Sequence, residues 1–239
     1  MAKKILIAAL LLAAIVVGGT GCMINRILNA GNTQAVNQQA LAYMEEKYGE
    51  TFTYSASYGN SMSGTREFLV TCDSLPGKQI LVQVENFRSN DRVFRDNYLA
   101  VKYQDATISL FRGCFSDSYP DVNVFYEPTK QPQSAELSAD AGFEDFLADW
   151  DNEMIVMIEL KASEFTGTAP MDEIAEKIAQ SCKLATLTVV VVEDDVFGTL
   201  DRSGLNNCIF NKEYVARAKV YIENGGVSID WSGEGVSNG

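Results

Sequence analysis

Residues 154–192 read MIVMIELKASEFTGTAPMDEIAEKIAQSCKLATLTVVVV, and the order of patterns within them decides the fold. Met154–Leu160 is apolar on both faces, the mark of a strand covered from two sides. Pro170 opens a helix, with Asp172 and Glu173 in the first turn, where the helix dipole favours carboxylates. Met171, Ile174, Ile178 and Cys182 follow at helical spacing and define its inner face. Leu187–Val192, ending in four consecutive valines, is a second buried strand. Strand, helix, strand over this length implies a parallel pair joined by a right-handed crossover.

Downstream, Tyr214, Ala216, Ala218, Val220 and Ile222 alternate with Arg217, Lys219 and Glu223, and Asn224-Gly225-Gly226 makes a hairpin turn. Val227, Ile229 and Trp231 continue the buried face. Upstream, Val36, Ala40, Leu41, Met44 and Tyr48 recur at helical spacing, and Gly49 stands where a C-terminal cap belongs. Phe52 and Tyr54 begin a strand. Phe68, Val70 and Cys72 share one strand face and Ile80, Val82 and Val84 another, with Ser74-Leu75-Pro76-Gly77 as the turn of an antiparallel hairpin. Tyr98, Val101, Ile108 and Phe111 suit a helix, against which Thr107 and Ser109 weigh. Val122–Tyr126 is a short strand, and Phe143, Phe146, Leu147 and Trp150 mark a short helix.

These elements predict an α+β fold. An antiparallel sheet packs with helices in a first lobe, 36–128. A mixed sheet with one β-α-β crossover and a C-terminal hairpin forms a second lobe, 141–231. The Pro-, Gln- and Ser-containing segment 129–140 is the expected linker, and 232–239 the expected disordered tail.

The N-terminus adds a location. Lys3 and Lys4 precede an apolar run from Ile5 to Val17, and Gly18-Gly19-Thr20-Gly21-Cys22 follows. That is the layout of a bacterial export signal over residues 1–21. Cys22 is the expected lipidation site. Thr20-Gly21 suit cleavage before it, whereas Gly19 stands where a large aliphatic residue is usual. The alternative is an uncleaved anchor: Ile5–Ile24 is an uncharged stretch of 20 residues, about 30 Å as a helix and just long enough to span. Gly18, Gly19 and Gly21 weaken such a helix by about 1 kcal/mol each. A buried helix of a cytosolic domain fits less well, because a polar spacer, 22–35, comes next. In either tethered form the body lies on the extracytoplasmic face of the cell membrane.

Composition narrows the chemistry. No acid precedes Glu45, and without Lys3 and Lys4 the chain has 17 bases against 32 acids, a net charge of −15 rather than −13. Such a field repels phosphate backbones, so nucleic acid is excluded as a partner. The chain has no histidine, which removes Ser-His-Asp and Cys-His nucleophile systems and the commonest zinc ligand. No residue pattern nominates a catalytic centre, a metal or a cofactor.

Four cysteines remain beside Cys22. Cys72, Cys114, Cys182 and Cys208 either pair outside the cell, with Cys72–Cys114 and Cys182–Cys208 keeping each bridge in its own half, or stay free as buried thiols. Glu193-Asp194-Asp195, with Asp201 and Asn206-Asn207, follows a strand end, where open sheets bind ligands, but lacks the order of a calcium loop. A solvated acidic loop is the plainer reading. Asp145, Asp149, Asp151 and Glu153 form a second acidic patch, and no spacing selects from it the paired carboxylates of a glycosidase. Tyr54, Tyr58, Phe87, Tyr98 and Tyr103 either line a groove or fill a sheet face; alternation favours the latter.

At Tyr43–Tyr54, YMEEKYGETFTY, the chain resembles lipoproteins of Gram-positive bacteria that pair a short helix ending in a KYGE-like turn with a strand. Lys47-Tyr48-Gly49-Glu50 and Phe52 carry the likeness. REFLVTCDSLPGKQILVQVEN, VFRDNYLAVKY and LTVVVVEDDVFGTLDR are similar to members of the same group, so the resemblance covers most of 36–231. It implies a surface location and a compact α+β body, with no assigned activity and no catalytic residues. The expectation is therefore a membrane-tethered binding or accessory module that engages an envelope protein or peptide. A carboxylate-dependent hydrolase of wall or glycan is the alternative.

Overall fold

The computed structural model describes residues 33–60, 64–128, 137–149 and 153–233. Helix α1, 33–48, begins three residues before Val36 and buries Val36, Ala40 and Met44 completely, one per turn along a single stripe. Four strands follow as an antiparallel meander in chain order: β1 (Phe52–Asn60), β2 (Arg66–Cys72), β3 (Ile80–Glu85) and β4 (Val93–Asp96). Along β2, Arg66, Phe68, Val70 and Cys72 are buried and the residues between them are not, the period of two that a one-sided sheet requires. Between β2 and β3 the chain turns at Gly77, whose φ of +74° is a left-handed conformation that glycine adopts without a side-chain clash. α1 lies on the buried face, with the Tyr43 and Phe94 rings stacked at 5.4 Å.

The ambiguous segment after β4 is helical, as α2 (Tyr98–Lys102) and α3 (Gln104–Phe115). Thr107 does not break α3, because its hydroxyl donates to the Tyr103 carbonyl at 2.9 Å and is fully buried.

The second sheet has the order β5-β6-β7-β8-β9, from β5 (Val122–Tyr126), β6 (Met154–Lys161), β7 (Leu184–Val192), β8 (Ala216–Glu223) and β9 (Gly226–Gly233). β6 and β7 are parallel, joined by α5 (Ala169–Ser181); the other pairs are antiparallel. The β8–β9 turn is Asn224-Gly225 at φ +55° and +77°, the two left-handed residues of a type I′ turn. A short helix α4 (Phe143–Ala148) precedes β6, and α6 (Arg202–Asn211) connects β7 to β8.

One hydrophobic core runs through both sheets, from Val36 and Phe68 through Phe111 to Ile158, Ile178 and Val220. β5 pairs with β6, so the change of sheet falls before β5, upstream of 129–140. A second, smaller core lies on the other face of the five-stranded sheet. Val189 and Val191 point into the first core, Val190 and Val192 into the second, where Leu205 and Cys208 of α6 cover them. This is the two-sided burial that the valine run requires.

Among the described residues no helix is long and apolar enough to cross a membrane. The leader, Cys22, Asp151 and Trp150 lie outside the described residues.

Candidate functional site

The KYGE segment is the structural hinge of the first half. Tyr43 and Lys47 are one turn apart on α1 and face the end of β4 together. There Asp96, with its side chain 1% exposed, accepts hydrogen bonds from Lys47 Nζ at 3.0 Å, Tyr43 OH at 3.2 Å, Tyr48 OH at 2.7 Å and the Tyr98 amide at 2.9 Å. Gly49, at φ +68°, then turns the chain out of the helix, its amide donating to the Glu45 carbonyl at 2.9 Å. That turn delivers Glu50 beneath Tyr98 and Ser74, which donate to Oε1 at 2.7 and 2.8 Å. The Tyr48 and Tyr98 rings stack at 4.1 Å and tie the two groups together.

The electrostatics follow from burial. Desolvation first, and Asp96 second, push the Tyr43 and Tyr48 phenols above their ordinary range, so both remain donors. Burial lifts Tyr98 to about 12, against the opposing effect of Ser74. Burial also pushes Glu50 up, but the hydrogen bonds from Tyr98 and Ser74 outweigh it and hold the carboxyl below its ordinary value.

A cleft of about 550 Å³ opens beside this network. Tyr43, Glu46 and Lys47 of α1 form one wall and residues 137–140 the other. Glu46 and Asp140 are exposed, while Tyr43, Lys47, Leu137 and Ala139 are half-buried. The arrangement offers an aromatic and aliphatic floor with two carboxylates at the rim, and a lysine whose charge Asp96 already balances.

Glu159 is a second buried acid. It sits at 0% exposure in β6, accepting from Asn123 Nδ2 at 2.7 Å and the Gly198 amide at 3.3 Å. Its bond to Gly198 pins the 193–201 loop over the second core, where Lys161, ion-paired with Asp121, lies over the Phe197 ring. A single charge inside an otherwise apolar central strand was the signal available for Glu159. Asp96 had none, since its partners are 48 and more residues distant in sequence, apart from Tyr98 beside it.

The acidic sequences take structural roles. Asp194 accepts from the Ser163 amide at 3.0 Å, and the Ser163 side chain first and this amide second hold its carboxyl below the ordinary value, while Asp201 caps α6 by accepting from the Gly204 amide at 2.7 Å. Asp145 accepts from the Gly142 amide at 2.9 Å at the start of α4, and Glu153 from Thr186 Oγ1 at 2.7 Å. Among the described residues no three acids or thiols are grouped to hold a metal ion. Of the five aromatics, Tyr98 is buried and Phe87 and Tyr103 half-buried against the core. Tyr54 and Tyr58 are exposed, at 39% and 43%.

All four described cysteines are free and buried. Cys182 belongs to the first core and Cys208 to the second, so a bridge between them would have to pass through the five-stranded sheet. Cys72 is in β2, with Sγ 3.4 Å from Ser74 Oγ, and Cys114 is in α3, the helix that packs on β5 and α5.

No family model matches this chain, and no curated protein matches it. Among solved structures, the crystal structure of a DUF5037 family protein from Ruminococcus gnavus is similar to it with a TM-score of 0.41 and 12% identity, over 80% of this chain and 92% of that one.

Proposed function

We propose that this chain is a membrane-tethered extracytoplasmic lipoprotein whose body is a non-catalytic binding module. Its ligand is a peptide segment of an envelope protein, held in the cleft between α1 and residues 137–140. The observation that carries the reading is the composition of that cleft. Its floor is preorganised by the ion pair of half-buried Lys47 with buried Asp96, and its rim presents Glu46 and Asp140 to solvent. Preorganisation lowers the ordering cost of association, and a carboxylate rim over aromatic and aliphatic surface suits a lysine or arginine flanked by an apolar residue.

Two carboxylates in one cleft also favour a hydrolase as the second reading. General acid work asks for a carboxyl buried against apolar surface, and both Glu46 and Asp140 are exposed. The buried acids, Asp96 and Glu159, are occupied by structural hydrogen bonds.

The test is an NMR titration with a short apolar–lysine peptide. Saturable shifts at Tyr43 and Asp140, lost in Glu46→Lys and Asp140→Lys, are expected. Shifts scattered over the whole surface would refute the binding cleft, and glycan turnover lost in Glu46→Gln would establish the hydrolase instead. The tether is tested separately by lipid labelling, which Cys22→Ser should abolish; label retained in that variant refutes lipidation.

A further inference from the structure

The two cysteines of the first core that lie in the helical layer are Cys114, in the last turn of α3, and Cys182, the residue that ends α5. α3 packs against α5, and the Lys177–Asp117 ion pair, 3.3 Å, spans that same contact. Each partner of the pair is within five residues of one of the cysteines. Lys177 acts electrostatically on Cys114, and Cys114 acts on Cys182, so the four side chains form one neighbourhood. Cys72 lies in the other sheet and Cys208 beyond the second one. We propose that Cys114 and Cys182 form a disulfide that fastens α3 to the crossover helix α5, with Cys72 and Cys208 left as free thiols.

The bridge has a clear physical purpose. α3 covers β5, one edge strand of the five-stranded sheet, and α5 packs on β8 and β9 at the other side of that sheet. A link between them closes a loop of about 70 residues, long enough for a large reduction in the freedom of the unfolded chain. In the cell the inference rests on the extracytoplasmic reading, because bridges persist where the surroundings are oxidising.

The oxidant is a small disulfide or an exported thiol oxidase. With oxidised glutathione, the Cys114 thiolate attacks the glutathione disulfide and releases one glutathione thiolate. The Cys182 thiolate then attacks Cys114 Sγ and releases the second. Two protein thiols are oxidised, one disulfide is reduced, and the two protons leave with the glutathione. At 5% and 2% exposure the thiols are closed to an oxidant in the native state, and burial pushes Cys182 up to about 12. Bridge formation therefore belongs to folding, and is fast on refolding and slow on the folded protein.

The experiment uses the purified, reduced full-length chain. It is denatured, refolded in a mixture of oxidised and reduced glutathione, blocked with N-ethylmaleimide, then reduced and labelled with iodoacetamide for peptide mapping. Iodoacetamide is expected on Cys114 and Cys182 and N-ethylmaleimide on Cys72 and Cys208. Reducing the bridge should lower Tm by roughly 10 °C. Cys114→Ala should move Cys182 to the N-ethylmaleimide set, whereas Cys72→Ala should leave the map unchanged. N-ethylmaleimide on all four, or either cysteine paired elsewhere, overturns the proposal. The wild-type map decides the matter even where Cys114→Ala does not fold. No membrane is involved, so a failure here is distinct from a failure of lipid labelling at Cys22.

Discussion

Replacing Asp96 by alanine should destabilise the protein by about 4 kcal/mol. The figure comes from what the substitution strands. Lys47 Nζ, 3.0 Å from the carboxylate, has a side chain only 14% exposed, and the hydroxyls of Tyr43 and Tyr48 and the Tyr98 amide lose the same acceptor. Removing one member of a buried ion pair costs about 3–5 kcal/mol, and each orphaned buried donor about 1–3 kcal/mol, though the terms do not simply add. The internal control is Glu85→Ala. Its partner Arg95 is also 3.0 Å away, but the two side chains are 33% and 37% exposed, so the loss should stay below about 1 kcal/mol. Urea unfolding followed by circular dichroism measures both variants, with an unchanged slope confirming that only stability moved. Lys47→Met in the Asp96→Ala background should recover part of the loss, because the uncompensated ammonium is gone. Equal, small losses in Asp96→Ala and Glu85→Ala would show that burial does not set the strength of these pairs.

Other substitutions probe single features. Gly49→Ala forces a side chain into φ +68° and should cost about 1 kcal/mol by chemical denaturation, with no new clash, since nothing lies within 4 Å of the added carbon. Asp201→Ala removes the cap on α6 and should cost about 1 kcal/mol, seen most directly as faster amide exchange at Gly204. Glu50 has a folded pKa below its unfolded value, so its stabilisation is present above the ordinary carboxyl range and is lost as pH falls through the folded value. Glu50→Gln should therefore flatten the acid limb of a stability–pH curve, and an unchanged limb contradicts the assignment. Ile158→Ala, at a fully buried site in β6, should cost about 2–5 kcal/mol in the same denaturation assay.

The amino-acid order by itself determined the elements whose stabilising contacts are local or repeated. The β6-α5-β7 unit is legible because two-sided burial leaves a continuous apolar run, and the β8–β9 hairpin because Asn224-Gly225 suits the two left-handed residues its turn requires. The tertiary structure alone decided where weakly patterned segments belong. β4 is four residues long, too short to show a period, and exists because β3 offers it an edge. α6 carries few apolar residues and is held by the Asp201 cap and by Leu205 and Cys208 against the second core. β5 has an ordinary alternating pattern, and only pairing with β6 assigns it to the second sheet. The candidate site divides in the same way. Lys47-Tyr48-Gly49-Glu50 stands out in the sequence as a helix-ending turn, but its meaning depends on Asp96, brought to it from the end of the fourth strand. A buried carboxylate is costly without partners, and those partners are assembled by the sheet register and the helix lying on it, which no local pattern encodes.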